Sequence, residues 1–363
     1  MRDTRITLRR RADPLRVAVV GLGYWGPNIA RNLHDLPETE LAGLCDVRPQ
    51  ALEAMRLRYP DVPLTTDYNE LVDDPSVDAV AIATPVSTHH ELATAVLVAE
   101  KHVFIEKPLA DSSEAAIDLV ETARERGLVL MPGHTFIYSP AVNLIRDLIE
   151  SGDLGEIYFI STSRVNLGLH QPDVSVAWDL GPHDFSILCY WLELPVRVSA
   201  ISRSCILPTI ADVAFINLEF RSGVIAHVEL SWLAPSKLRR TTIVGSEKMV
   251  VYDDTSAEPV RVFDSGVAPP NPETFGEFQL SYRTGDVVSP RVDVAEPLAL
   301  ELRDFYEAIR TGRELRSSPA LGVEVVHLVE AVDRSLRAGG APVDVAARRA
   351  LQPLSGARSA ERS

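Results

Sequence analysis

Three short stretches of this 363-residue chain carry side chains arranged for chemistry. The first is Gly21-Leu22-Gly23-Tyr24-Trp25-Gly26, a G-x-G-x-x-G run that follows an apolar strand and opens a helix. Gly21 permits a tight turn, Gly23 lets the backbone approach a pyrophosphate, and Gly26 allows the helix to pack on the strand. Asp46 ends the next apolar run, 20 residues beyond Gly26. An acid there accepts hydrogen bonds from a ribose 2′-OH and repels a 2′-phosphate, so the pattern predicts NAD, with NADP the lesser expectation. Arg48 could reach a phosphate and weakens that preference. The second stretch is Glu106-Lys107-Pro108, where an ammonium at a strand end could stabilise charge on a reacting oxygen. On position alone Lys107 reads as an ordinary exposed lysine. The third is Asp179 and His183, four apart at the start of a helical segment and so on one face. Histidine titrates near neutral pH and suits a general base, with an acid to orient it or to hold a hydroxyl. A structural hydrogen bond is the plain alternative for such a pair.

These residues need a scaffold. From Arg16 to about His134, apolar runs (Val17–Val20, Leu41–Cys45, Ala79–Ala83, Val103–Ile105, Leu128–Met131) alternate with helical patterns. Runs apolar at successive positions suit parallel strands covered on both faces, and the alternation predicts a doubly wound α/β domain. Thr88 with Glu91 and Asp111 with Glu114 read as capping boxes, and Gly127 as a helix stop. A helix opens at Ser139-Pro140 and stops at Gly152. Beyond it the texture is β-rich: Ile157–Val165, Val196–Ile206, Val213–Phe220, Val224–Trp232, Thr241–Val244, Met249–Tyr252 and Val260–Phe263. Val224, Ala226, Val228 and Leu230 alternate with Ile225, His227 and Glu229, as an antiparallel sheet with unlike faces requires. Helices are expected near Val176–Leu192, Pro297–Arg310 and Leu321–Ala338, giving an α+β second domain, and Ala268–Pro272 reads as a loop.

Composition narrows the partners. Hydrophobic residues are 46% and charged residues 24%, an ordinary globular balance. No run of 18 apolar residues occurs, so no membrane partner is expected. A net charge of −15 disfavours nucleic acid. Cys45, Cys189 and Cys205 are odd in number and widely spaced, and read as reduced, buried thiols of a cytoplasmic protein. Residues 1–14 form a basic arm whose first eleven carry five arginines without the apolar stretch of a secretory signal. Residues 346–363 read as a poorly ordered tail.

Together with four later blocks, these motifs resemble the Gfo/Idh/MocA family of sugar and inositol oxidoreductases, from about Arg16 to Val345. The blocks are Thr84-Pro85 with His89, Glu106-Lys107-Pro108, Ser139-Pro140 through Gly155, and Trp178-Asp179-Leu180-Gly181-Pro182-His183-Asp184. Glu301-Leu302 and Ser335-Leu336 fit the closing helices. The resemblance implies a Rossmann doubly wound parallel sheet at 15–135. It also implies an α+β substrate and oligomerisation domain at 136–345, with a large open, mostly antiparallel sheet and final helices able to pack back on the first domain. That sheet commonly joins subunits, so a homodimer or homotetramer is expected.

The same resemblance places Lys107 in the site and makes Lys107, Asp179 and His183 the catalytic set. Gly21, Gly23, Tyr24, Trp25, Gly26, Asp46, Arg48, Thr84, Pro85, His89, Glu106 and Lys107 are then the cofactor-binding positions. His134 follows the last Rossmann strand, where α/β sheets place ligands. His134, Arg164 and Asn166 are substrate candidates, with a solvated strand face the alternative for the last two. Thr135 and Ile137 stand where the family often has Asn and Arg. His89 and His90 are adjacent and cannot share an ion, so no metal is expected. Trp25 reads equally as nicotinamide packing or core; Trp178, Tyr190, Trp191 and Trp232 read as core or interface aromatics. Asp184 reads as a structural partner of its helix.

The expected activity is hydride transfer between NAD(P) and the hydroxyl or keto carbon of a sugar, a nucleotide sugar or sugar derivative first. An inositol or free-aldose dehydrogenase, redox-neutral chemistry with bound NAD, and an NAD-responsive regulator are the alternatives.

Overall fold

The computed structural model describes residues 14–168, 174–268 and 281–345. The expected N-terminal arm (apart from residue 14), the C-terminal tail and the loop at 269–272 lie outside the described residues. By backbone contacts the chain divides into two compact units, 1–143 with 293–322 and 144–292 with 323–363.

The first unit is a six-stranded parallel sheet: β1 (Leu15–Val20), β2 (Thr39–Cys45), β3 (Leu64–Thr65), β4 (Ala79–Ile82), β5 (His102–Glu106) and β6 (Leu130–Gly133), in the order β3-β2-β1-β4-β5-β6. Its helices are α1 (Gly26–Asp35), α2 (Pro49–Arg56), α3 (Asn69–Val72), α4 (His89–Val98) and α5 (Ser113–Arg126). Val17, Val19, Val80, Ile82, Val103 and Ile105 are 5% exposed or less, as a sheet covered on both faces demands. The strand order reverses between β1 and β4, the place where such sheets bind ligands at their carboxyl ends.

Two helix starts differ from the sequence expectation. Thr88 adopts a helical conformation after a short 3₁₀ turn, and its hydroxyl is spent on Thr84 and Pro85 instead of on an α4 amide. Ser112, not Asp111, caps α5 by accepting from Ala115. Gly127 ends α5 in the left-handed conformation, as expected. The two-residue β3 has too little periodicity to be read from sequence.

The second unit is a nine-stranded sheet, all antiparallel save one pair. Its strands are β7 (Ile157–Leu167), β8 (Arg197–Arg203), β9 (Val213–Glu219), β10 (Ile225–Ser231), β11 (Leu233–Gly245), β12 (Met249–Asp253), β13 (Val260–Ala268), β14 (Ser281–Val288) and β15 (Val343–Asp344). They lie in the order β14-β13-β12-β11-β7-β10-β9-β8-β15, with β10 parallel to β7. Ala226, Val228 and Leu230 are fully buried while Ile225 is exposed, so the two faces are unlike. Of the remaining helices, α7 (Val176–Asp179) and α8 (Gly181–Trp191) belong to this unit, α9 (Pro297–Thr311) belongs to the first, and α6 (Pro140–Glu150) and α10 (Pro319–Arg337) run across the division. The single helix expected at Val176–Leu192 is thus two, broken at Leu180. Cys45 and Cys189 are buried, but Cys205 is exposed, because it lies in the loop beyond β8 and not on a strand. No helix among the described residues is long and apolar enough to cross a membrane.

Candidate active site

In the first unit, β1 runs into the glycine turn. Gly21 has φ +91°, a left-handed conformation that side chains rarely adopt, and a Cβ on it would sit 2.6 Å from the Ala83 carbonyl oxygen. A Cβ on Gly26 would fall 1.9 Å from the Gly21 oxygen, so α1 starts hard against the turn. A Cβ on Gly23 would meet nothing within 4 Å, leaving that stretch of backbone open to a ligand. Two closed glycines and one open one are what a pyrophosphate cradle requires, so the loop fits a dinucleotide. Trp25 precedes α1, and its ring meets the ring of the exposed Tyr24 edge-on at 5.5 Å.

Asp46 is buried at the end of β2. Its Oδ2 accepts the Leu22 amide at 2.7 Å, and its Oδ1 accepts the Arg48 amide at 2.8 Å. The Arg48 guanidinium forks across both oxygens at 2.9 Å each. That fork, helped by the two amides, holds the carboxyl at about 2 against the opposing effect of burial. Asp46 is therefore a carboxylate at all ordinary pH values.

His89, at the start of α4, is 1% exposed. Its Nε2 lies 2.9 Å from the Thr84 carbonyl and its Nδ1 lies 2.9 Å from the Pro108 carbonyl. Burial lowers its pKa, against the pull of the two carbonyls. It ties the Thr84-Pro85 turn to the turn that carries Lys107. The Lys107–Pro108 peptide is cis. Lys107 is half-buried, and its amide donates to Glu106 Oε2 at 3.2 Å. Burial pushes the Glu106 carboxyl up to about 7, against the pull of Lys107.

His134 follows β6, whose Gly133 pairs with Glu106. It is 1% exposed, and burial, with Lys107 adding to it, pushes its pKa down to about 3. A neutral ring this enclosed offers little to an outside ligand. Thr135 donates to Glu301 Oε2 at 2.6 Å. Glu301 is fully buried on α9, and the family block in which the sequence places it does not reveal this contact. Its signal was a charge on the apolar stripe Leu298, Leu302, Phe305 and Ala308, all of them buried.

In the second unit, Asp179 ends α7 and His183 lies in the first turn of α8; both are half-buried. The Trp232 indole N–H donates to Asp179 Oδ2 at 3.1 Å. Reading Trp232 as a core or interface aromatic does not reveal this donor. Asp184 accepts from Thr162 Oγ1 at 2.9 Å and from Arg164 Nε at 2.5 Å. The Arg164 and Asp184 side chains are only 6% and 4% exposed. Arg164 thus spends its guanidinium on Asp184, under α8. Asn166 is half-buried on the same strand face, and its Oδ1 has no hydrogen-bond partner among the described residues.

The glycine turn after β1, with an acid at the end of β2, has the form of a dinucleotide-binding Rossmann domain. The model of the oxidoreductase family with an NAD-binding Rossmann fold matches residues 15–134, and that of the GFO/IDH/MocA C-terminal domain matches residues 142–251. Between them they cover more than half of the chain, which belongs to the Gfo/Idh/MocA oxidoreductases. It is 26% identical over 262 residues to myo-inositol 2-dehydrogenase of Thermotoga maritima, covering 69% of this chain and 78% of that one. The crystal structure of GenD2 from gentamicin A biosynthesis, in complex with NAD, superposes with a TM-score of 0.78 at 26% identity, covering 93% and 98% of the two chains. UDP-N-acetylglucosamine 3-dehydrogenase GnnA from Acidithiobacillus ferrooxidans superposes at 0.74 with 25% identity, covering 90% and 99%.

Proposed function

We propose that this enzyme transfers a hydride between NAD and a hydroxyl-bearing carbon of a nucleotide sugar or related sugar derivative, with Lys107, Asp179 and His183 as its catalytic set. Bound NAD supplies the hydride acceptor. Gly21, Gly23 and Gly26 would hold the pyrophosphate, with Tyr24 and Trp25 flanking it, and Asp46 would hold the ribose, which favours NAD over NADP. Thr84, Pro85, His89 and Glu106 would form the wall on the nicotinamide side. In the oxidative direction His183 takes the hydroxyl proton as the carbon gives up its hydride, leaving a ketone. The Lys107 ammonium hydrogen-bonds the same oxygen and stabilises its developing charge. Asp179 orients the imidazole or holds a neighbouring hydroxyl.

The observation that carries this reading is that Asp179, at the end of α7, and Asp184, next to His183 on α8, are each held by a buried donor of the sheet, as the support of a general base requires. Likeness to GenD2 and to GnnA supports a sugar derivative; likeness to the Thermotoga maritima inositol enzyme favours an inositol as the second reading. Of the substrate candidates Asn166 has the best support; the enclosure of His134 and the Arg164–Asp184 ion pair weigh against the other two. The outer sheet face carries Phe159, Ile201, Phe215 and Ile225 exposed in adjacent strands, which supports a homodimer or homotetramer through that face. A cytoplasmic site fits three cysteines that form no disulfide among the described residues.

His183→Ala tests the base directly. Turnover should fall by about 10²-fold or more while NADH affinity holds within about threefold. Unchanged turnover contradicts the assignment.

A further inference from the structure

The segment that carries His183 is gripped from the sheet on both sides of that residue. Asp179 lies four residues before it and Asp184 one residue after it. Each carboxylate is tied to a buried donor on a strand or at its end.

The first tie is Trp232, which joins β10 to β11 and is 1% exposed. Its indole N–H points at Asp179 Oδ2, 3.1 Å away. The ring has little freedom: a Cβ on Gly168 would come within 2.5 Å of its Cδ1, and the Gly168 amide donates to the Trp232 carbonyl at 2.9 Å. Only a glycine lets the end of β7 lie this close to the indole.

The second tie is Arg164. Its Nε reaches Asp184 Oδ2 at 2.5 Å, and Thr162 of the same strand donates to Oδ1 at 2.9 Å. Thr241 on the neighbouring β11 supports Thr162 at 3.2 Å. Two adjacent strands therefore converge on one carboxylate.

A buried ion pair is a poor way to gain stability, because desolvation offsets most of its attraction and apolar residues of the same shape often hold a helix as well. What it supplies is direction. A guanidinium and a hydroxyl accept only a narrow range of carboxylate positions, and so fix where the next residue points.

We propose that Arg164 and Trp232 are positioning residues, holding Asp184 and Asp179 so that His183 stands in one place on α8. The proposal rests on reading Asp179 and His183 as the proton-transfer pair. It gives the sheet a second task beneath the site and turns Arg164 from a contact with substrate into a support for the base. General-base catalysis depends on such preorganisation, since displacements of about 1 Å cost about 10²-fold in rate.

The test uses the full chain with histidine labelled at ¹³Cε1, titrated by NMR, with the His183 signal assigned by its loss in His183→Gln. Trp232→Phe keeps an aromatic ring and removes the donor; Arg164→Lys keeps the charge and removes the fork. In each, the His183 signal should broaden or split and its titration midpoint move by about 0.5 pH or more, the remaining histidines staying put. With a sugar that the wild type oxidises, kcat should fall about tenfold while NADH affinity is unchanged. Should either variant fail to fold, Thr162→Val removes a single donor to Asp184 and must show the same local change. A His183 signal that superposes on the wild type in folded variants overturns the proposal. The reading of His183 as the base fails separately, by intact turnover in His183→Ala, and the NMR result stands apart from it.

Discussion

Asp46 and Leu22 are joined by a hydrogen bond: the Leu22 amide donates to Asp46 Oδ2 at 2.7 Å. The acid expected to read the ribose is thus also a brace for the glycine turn. The proposed ribose contact and the shape of the glycine turn share one carboxylate.

Asp46→Asn should therefore lose on both counts. NADH affinity should fall about tenfold or more, and stability at pH 7 by about 2 kcal/mol. The sign with pH is fixed by the lowered pKa. A carboxyl held at about 2 in the fold, against an unfolded value near 3.9, stabilises above the unfolded value and loses that effect as pH falls towards 2. Urea unfolding at pH 7 and pH 3 should show a steeper acid loss in the wild type than in Asp46→Asn. Parallel curves would contradict this.

Arg48 lies over Asp46 with its guanidinium more than half exposed. It is the one cation that the sequence placed within reach of a 2′-phosphate. Arg48→Ala should leave NADH affinity within about threefold and weaken NADPH about tenfold. Equal losses for both cofactors would mean that Arg48 serves only to orient Asp46.

Glu106 and Glu301 are buried carboxyls whose pKa values burial raises, Glu106 to about 7. Such groups are tolerated while protonated, and each costs stability as pH climbs from the unfolded value, about 4.3, through the folded one. Glutamine imitates the protonated form. Glu106→Gln should match the wild type at pH 4.5 and exceed it by up to about 3 kcal/mol at pH 8. Glu301→Gln should change in the same direction. Loss of stability at pH 8 in both variants would show that the carboxylates are compensated in the fold.

The Rossmann half was legible because its signals are local. Gly21, Gly23 and Gly26 sit between an apolar run and a helical pattern, and Asp46 falls at the end of the next run. The turn at Gly127 was equally plain. Thr88 was misleading because a capping box in sequence does not reveal whether a 3₁₀ turn intervenes. Arg164 and Asn166 read as substrate contacts or as a solvated strand face because alternation tells which residues share a face and not what covers it; at Arg164, α8 covers it through Asp184. Glu301 and Trp232 escaped because their partners, Thr135 and Asp179, lie 166 and 53 residues away. Polar β14 has no apolar alternation to announce it.

Hydride transfer between a sugar and NAD is tested most directly by absorbance at the reduced-nicotinamide band. The purified protein is mixed with NAD and, in turn, nucleotide sugars, free sugars and inositols. NADH should grow with a nucleotide sugar or sugar derivative, and His183→Ala should abolish that growth. Binding of NAD without reduction by any of these compounds would contradict hydride transfer.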